Sequence, residues 1–252
     1  LSAIIDFIHT ATLLHVDLVV GSEQRRNQDT ANQIWCNAAC VLVGDFLYSR
    51  SFELMVALRE MRVMDILSHA TNRIAEGEVL QLMNINDPDI GEKRYIDVIV
   101  RKTATLFEAG TRLAGVISEA DEATEQALAA YGMDLGIAFQ IVDDTLDYTG
   151  KDIGKNVGDD LEEGKPTLPL IRAMQTAAPE KASVVRDAIE NGGRDRIEEI
   201  MQIIRETDAI DYSMALARKH ADAATRELEI LPASPYRDAL AELADFAVNR
   251  DY

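Results

Sequence analysis

The sequence is poor in residues that interrupt helices. Its 252 residues include 6 prolines and 14 glycines, and aromatics make up 6%. With so few breakers, and with Ala, Leu, Ile and Glu abundant, long helices are the natural reading. No alternation of apolar and polar residues is long enough for a committed strand, and no repeat of about 20–50 residues occurs. Basic residues are scarce too: 25 Lys and Arg face 44 Asp and Glu, a net charge of −19. That balance argues against nucleic acid or an anionic membrane surface as a partner. The only two cysteines, Cys36 and Cys40, are spaced i, i+4 and read as buried thiols in a reducing cytoplasm rather than a disulfide or metal pair. His9, His15, His69 and His220 lack metal-ligand spacing. No apolar run approaches the ~20 residues of a membrane span. Leu1 falls directly into a helical pattern without a signal-peptide layout, so the chain is expected to start short of its N-terminal helices.

What is present is helical spacing almost throughout. Apolar residues recur one or two turns apart over 1–20, and again over 31–49, where Ala31, Ile34, Trp35, Ala38, Leu42 and Phe46 share a side. Further helices are expected over 51–66, 67–83, 92–118, 121–148, 168–177, 180–190, 194–206, 208–230 and 235–249. Asp87–Pro88–Asp89, Ala178–Pro179, Gly192–Gly193 and Leu231–Pro232 separate several of them. The expected architecture is all-α, with residues 1–252 forming a single large helical bundle.

One stretch resists explanation by packing alone. In the helix over 121–148, Leu128, Tyr131, Leu135, Phe139, Val142 and Leu146 mark a buried face. On the same helix Asp143, Asp144 and Asp147 lie at i, i+1 and i+4. Asp143 and Asp147 therefore point one way, Gln140 joins their row a turn earlier, and Asp144 is turned by about 100°. Like charges at this spacing weaken a bare helix by a few tenths of a kcal/mol per pair, roughly 0.2–0.5. A cation removes that penalty, and hard carboxylate oxygens suit Mg²⁺ shared with substrate phosphates. Lys155 and Lys165 follow beside Asp159 and Asp160, which adds cationic partners for a diphosphate. An acidic triplet is otherwise an ordinary solvated face, and two loop lysines are unremarkable one by one.

The segments FQIVDDTLDYTG and GKNVGDDLEEGKPTLPL resemble the second aspartate-rich motif and the following lysine loop of the trans-type polyprenyl diphosphate synthases. The likeness is greatest to the bacterial octaprenyl members, which make quinone side chains. It extends to FIHTATLLH, the Arg25–Arg26 pair, VLVGDFLYSR, IAEGEVLQLMNINDPDI and the KTA stretch. The resemblance implies an isoprenoid-synthase bundle around a deep central cavity, Mg²⁺ as cofactor, and a cytoplasmic homodimer. It implies condensation of isopentenyl diphosphate onto an allylic diphosphate, farnesyl diphosphate by expectation, to a long-chain product such as octaprenyl diphosphate. By the same resemblance Asp143, Asp144, Asp147 and Asp17 fall at metal positions. Lys102, Lys155 and Gln140 match groups around the allylic diphosphate, and Thr103 follows Lys102. Arg25 and Arg26, whose planar forks suit diphosphate oxygens, match the arginines after the first motif, and Lys165 and Asp160 belong to the lysine loop. Glu76, Glu78 and Gln81 match a polar stripe expected to face the cavity, and residues 31–55 a subunit interface.

The departure lies after His15, where the family has Asp-Asp-x-x-Asp. Here Val16, Asp17, Leu18, Val19 and Val20 occupy that stretch, and valine offers no metal ligand. An alternative expectation is therefore a catalytically degenerate partner subunit of a heteromeric synthase. A terpene cyclase on the same bundle is a third, against which the lysine loop speaks. Where short-chain members carry bulky aromatics before the first motif, Ala11 and Thr12 stand here. By resemblance this open floor favours a long product. Phe52, Leu54 and Met55 are deeper candidates for stopping growth, with core packing the simpler role.

Overall fold

The structure is a computed structural model that describes residues 1–21, 24–25, 28–149 and 158–250. Its residues group into two compact units, Leu1–Thr71 and Asn72–Tyr252, each described here by itself. The chain order is α1 (Ser2–Val20), a two-residue pairing of β1 (Gln24–Arg25) with β2 (Gln28–Asp29), α2 (Ala31–Ile34), α3 (Asn37–Ala57), α4 (Met61–Met83), α5 (Glu92–Ile99), a π-helical turn (Val100–Ala104), α6 (Thr105–Ile117), α7 (Glu122–Leu146), α8 (Asp159–Glu162), α9 (Leu168–Thr176), α10 (Pro179–Asn191), a 3₁₀ turn (Arg194–Arg196), α11 (Ile197–Glu206), α12 (Ala209–Glu227), a 3₁₀ turn (Leu228–Ile230) and α13 (Pro235–Asn249). The all-α expectation holds. The one addition is the antiparallel pairing of Gln24 with Asp29 and Arg25 with Gln28.

In the first unit α1 packs along α3. Ile4, Ile8 and Ala11 form the buried stripe of α1 at intervals of four and three residues. Cys40, Gly44, Ser51 and Met55 are the buried positions of α3. A Cβ on Gly44 would overlap the His15 imidazole, so the missing side chain sets the closest approach of the two helices. Gly21 ends α1 in the left-handed region at φ 69°, its N–H returning to the Asp17 carbonyl.

Three expectations are corrected here. The helix over 31–49 breaks at Trp35 and Cys36, and Cys36 (φ 169°) caps α3, which leaves its thiol exposed while Cys40 is buried. Ile34, Trp35, Leu42 and Phe46, in the stretch expected to form a subunit interface, are exposed at 57–70% in the single chain. The chain breaks at 58–60 rather than near 50 and again near 66, because Arg59 adopts a positive φ of 57°; α4 then runs unbroken. Finally, α1 is long and apolar enough to cross a membrane by length and composition, with 18 residues from Ser2 to Val19 at mean hydropathy 1.3. It contains no uninterrupted apolar run of that length, because Asp6, His9, His15 and Asp17 punctuate it.

The second unit is built around α7, which contacts α6, α12, α13, α9 and the π-helical turn. Asp121 caps it, its side chain accepting from the Thr124 N–H at 2.8 Å. Tyr131, Leu135, Ile141 and Val142 are buried, each contributing about 1.5–3 kcal/mol relative to exposure. Gly132 and Gly136, one turn apart, let the neighbouring segment cross closely: a Cβ on Gly136 would lie 2.6 Å from Ala104 Cα. The helix expected over 92–118 is interrupted there by the π-helical turn Val100–Ala104, a distortion that often marks a functional site.

Candidate active site

The C-terminal turns of α7 carry the acidic residues, and their environments differ. Asp143 is exposed, Asp147 half-buried, and Asp144 only 8% exposed. The 100° offset explains this: Asp144 falls toward the core that holds Ile141 and Val142, while Asp143 falls outside it. Gln140 donates through Nε2 to Asp144 Oδ1 at 2.8 Å, with a longer reach of 3.4 Å to Asp143 Oδ2. Its own Oε1 accepts from the Thr103 hydroxyl at 2.7 Å. Asp144 Oδ2 accepts from the Tyr95 hydroxyl of α5 at 2.6 Å. Asp147 Oδ2 accepts from the Asp160 N–H at 3.1 Å, which ties the end of α7 to α8.

The electrostatics are those of an anionic cluster short of positive charge. Burial, with the charges of Asp160 and then Asp143 adding to it, pushes the Asp144 carboxyl up to about 8, against the lowering effect of its bonds from Tyr95 and Gln140. Burial first, then the Asp144 charge, raises the Tyr95 hydroxyl well above the ordinary tyrosine value. Among the described residues no three His, Cys, Asp or Glu side chains form a ready-made metal cage. A hard cation shared with substrate phosphates needs only one or two carboxylates. The oxygen-only donor set of Asp143, Asp144 and Asp147, with excess negative charge around a buried carboxyl, fits such an ion.

The basic side chains on neighbouring elements are paired with other carboxylates. The π-helical turn carries Arg101, Lys102 and Thr103. Lys102 Nζ meets Gln81 Oε1 at 2.5 Å and Glu78 Oε2 at 3.1 Å, its side chain 25% exposed; this is a held ammonium and not a snorkelling surface lysine. Arg101 bridges Glu76 at 2.9 Å and Asp97 at 3.0 Å. The expected stripe of Glu76, Glu78 and Gln81 thus faces the π-helical turn. Gly77 makes the approach possible, since a Cβ there would lie 2.6 Å from the Lys102 backbone nitrogen. Lys165 pairs with Asp160 at 3.2 Å and Glu163 at 2.5 Å. Burial alone would lower its pKa, but those two carboxylates outweigh it and hold the ammonium above the ordinary lysine range. Its loop is anchored by Gly164, whose carbonyl accepts from the Asn86 N–H at 2.9 Å.

In the second unit, then, the structure joins Thr103, Gln140 and Asp144 through hydrogen bonds, and Asp147, Asp160 and Lys165 through a second set; Lys102, next to Thr103 in the chain, is bonded instead to Gln81 and Glu78. Two neighbours lacked any motif to announce them. Tyr95 is one aromatic in EKRYIDVI, its partner 49 residues away. Arg250 lies 3.6 Å from Asp143 Oδ1 and stacks 3.9 Å from the Phe139 ring centroid. In the first unit Asp17 is buried, Val16 half-buried, and Ala11 buried at 1% exposure. The Thr12 hydroxyl turns back to the Ile8 carbonyl at 2.9 Å. Met55 is core, and Phe52 meets Tyr48 edge-on at 5.1 Å. Arg26 and Lys155 lie outside the described residues, as do the side chains of Arg25 and Val20.

The sequence profile of the polyprenyl synthetase family matches residues 1–207. The chain belongs to this family. It is 50% identical to the octaprenyl diphosphate synthase of Escherichia coli K12, across 100% of this chain and 79% of that protein. A crystal structure of a decaprenyl diphosphate synthase from Rhodobacter capsulatus superposes with a TM-score of 0.94 at 45% identity, covering 99% of this chain and 78% of that one. A polyprenyl synthase from Caulobacter crescentus CB15, complexed with calcium and isoprenyl diphosphate, gives the same TM-score of 0.94 and 45% identity over 99% of this chain and 77% of its own. The fold is thus the helical isoprenoid-synthase fold of these polyprenyl synthases.

Proposed function

We propose that this polyprenyl synthetase is a trans-polyprenyl diphosphate synthase. It elongates an allylic diphosphate, farnesyl diphosphate in the first instance, with isopentenyl diphosphate, and octaprenyl diphosphate for quinone side chains is the proposed product. The observation that carries this reading is the hydrogen-bonded set of Asp144, Gln140 and Thr103 on a family scaffold 50% identical to an octaprenyl synthase. The degenerate-subunit alternative finds no support: the relatives that match the chain from end to end are synthases.

Asp143, Asp144 and Asp147 would hold the divalent cation, taken to be Mg²⁺; the calcium and isoprenyl diphosphate of the Caulobacter relative support a hard ion and a diphosphate ligand. Bound there, the ion supplies electrophilic stabilisation of the departing diphosphate. The chain's own groups do the rest. Lys102, held by Glu78 and Gln81, would present its ammonium to diphosphate oxygens. Thr103 and Gln140 orient Asp144. Lys165 offsets the charge of Asp160 and Glu163, and Arg25, Arg26 and Lys155 are assigned to diphosphate by their motif positions. Ala11 and Thr12 leave room for a long product. The two units serve one synthase domain, active as a homodimer through the exposed apolar side chains of α3, among them Leu42 and Phe46. We read α1 as packed on α3 rather than membrane-spanning, since its Asp17 is buried. The exposed thiol of Cys36 accords with a reducing cytoplasm.

The test is product analysis. The dephosphorylated product of farnesyl and isopentenyl diphosphates with Mg²⁺, run by reversed-phase chromatography, should migrate as octaprenol. A C15 or C20 limit would overturn the long-chain reading.

A further inference from the structure

We propose that Tyr95 is a positioning residue for the Asp144 carboxylate, fixing through its hydroxyl which oxygen lone pairs are presented to a cation. Neither the second aspartate-rich motif nor the lysine loop contains it. Tyr95 is 5% exposed and Asp144 8%, so water does not compete for their 2.6 Å bond. Gln140 holds the other oxygen of the same carboxylate at 2.8 Å and is itself held by Thr103 at 2.7 Å. A carboxylate pinned at both oxygens loses the side-chain rotation that would interchange them. With about four lone-pair positions and two taken by donors, it has two left, facing fixed directions. The neighbouring Asp143 is exposed and reached by Gln140 only at 3.4 Å. The pair thus divides into one preset oxygen ligand and one adaptable ligand. The Tyr95 ring packs in the core with Ile99, Ile141 and Val142, so the hydroxyl is delivered from a rigid element rather than a loop.

This rests on the reading of Asp144 as a metal ligand, and the experiment separates the two. Mn²⁺ binding to the full chain is titrated by electron paramagnetic resonance in the presence of inorganic diphosphate, for wild type, Tyr95→Phe and Val98→Ala. Tyr95→Phe keeps the ring and removes the hydroxyl; Val98→Ala loosens the same helix without touching Asp144. Outer-shell partners of metal ligands typically alter affinity about 10–100-fold. Tyr95→Phe should weaken Mn²⁺ binding by that factor and raise the apparent KM for Mg²⁺, with kcat at saturating Mg²⁺ changed only a few-fold. Val98→Ala should lower thermal stability and leave Mn²⁺ affinity unchanged. If wild type binds Mn²⁺ and Tyr95→Phe binds it equally well, the positioning role is overturned while the metal site stands. If wild type binds none, the metal reading of Asp144 falls and the proposal falls with it.

Discussion

Two helical turns of this chain fall at the positions of the family's aspartate-rich motifs, and they differ in what they carry. On α7 the turn is complete: Asp143, Asp144 and Asp147 are present, and Tyr95, Gln140 and the Asp160 N–H hold two of them. On α1 the corresponding stretch is Val16, Asp17, Leu18, Val19 and Val20, with a single buried carboxylate. Yet α1 keeps its fold, because its buried stripe of Ile4, Ile8 and Ala11 contains no motif position. The difference teaches that ligand residues and packing residues are separable in this scaffold. The packing of α1 is set by residues other than those at the motif positions, and the acidic turn of α7 is held by donors around it. Those donors are Tyr95 on α5, the Asp160 N–H on α8 and Gln140 on α7 itself, which Thr103 of the π-helical turn holds in place.

The comparison can be broken first at the complete turn. Asp144→Ala should lower kcat by about three orders of magnitude, the several kcal/mol a metal contributes to leaving-group charge, with circular dichroism unchanged; near-normal turnover would remove Asp144 from the site. The donors come next. Gly77→Ala would drive a Cβ to 2.6 Å from the Lys102 nitrogen, and such overpacking costs about 1–3 kcal/mol. A denaturant titration should register that loss, together with a raised KM for the allylic diphosphate. The incomplete turn sharpens the contrast from the other side. Restoring carboxylates with Val16→Asp and Val20→Asp should raise turnover at limiting Mg²⁺ on the order of tenfold, or ~1.4 kcal/mol. No gain in a folded double variant would show that the α1 turn no longer contributes.

The smallest effect belongs to a carboxylate outside both turns. Arg218 bonds Asp245 at 2.6 Å and holds its carboxyl below the usual aspartate range. A depressed folded value adds stability above the ordinary aspartate pKa that is lost as pH falls through the folded one. Arg218→Ala should therefore lower the thermal midpoint slightly at neutral pH and not at all in strong acid. The pair is solvent-exposed, so the shift should be close to the limit of detection.

Much of this was legible in the sequence. Helical spacing gave the fold class, and Asp143 with Asp147 on one row followed from the 3.6-residue period. That Asp144 is the buried member did not follow, since burial depends on which neighbours cover the helix. Tyr95 was invisible because a hydrogen bond across 49 residues leaves no local mark. The π-helical turn that presents Lys102 and Thr103 was equally hidden, as its extra residue is accommodated against Gly77 of another helix. The exposed apolar side of α3 shows the same limit, since periodicity marks an apolar face without saying what covers it.

The most direct test of the central claim compares wild type with Asp143→Ala for incorporation of labelled isopentenyl diphosphate into farnesyl diphosphate with Mg²⁺. Both proteins would first be shown to be folded by circular dichroism. Long-chain incorporation by wild type and none by the variant is the predicted result. Equal incorporation by both, or none by folded wild type, would contradict it.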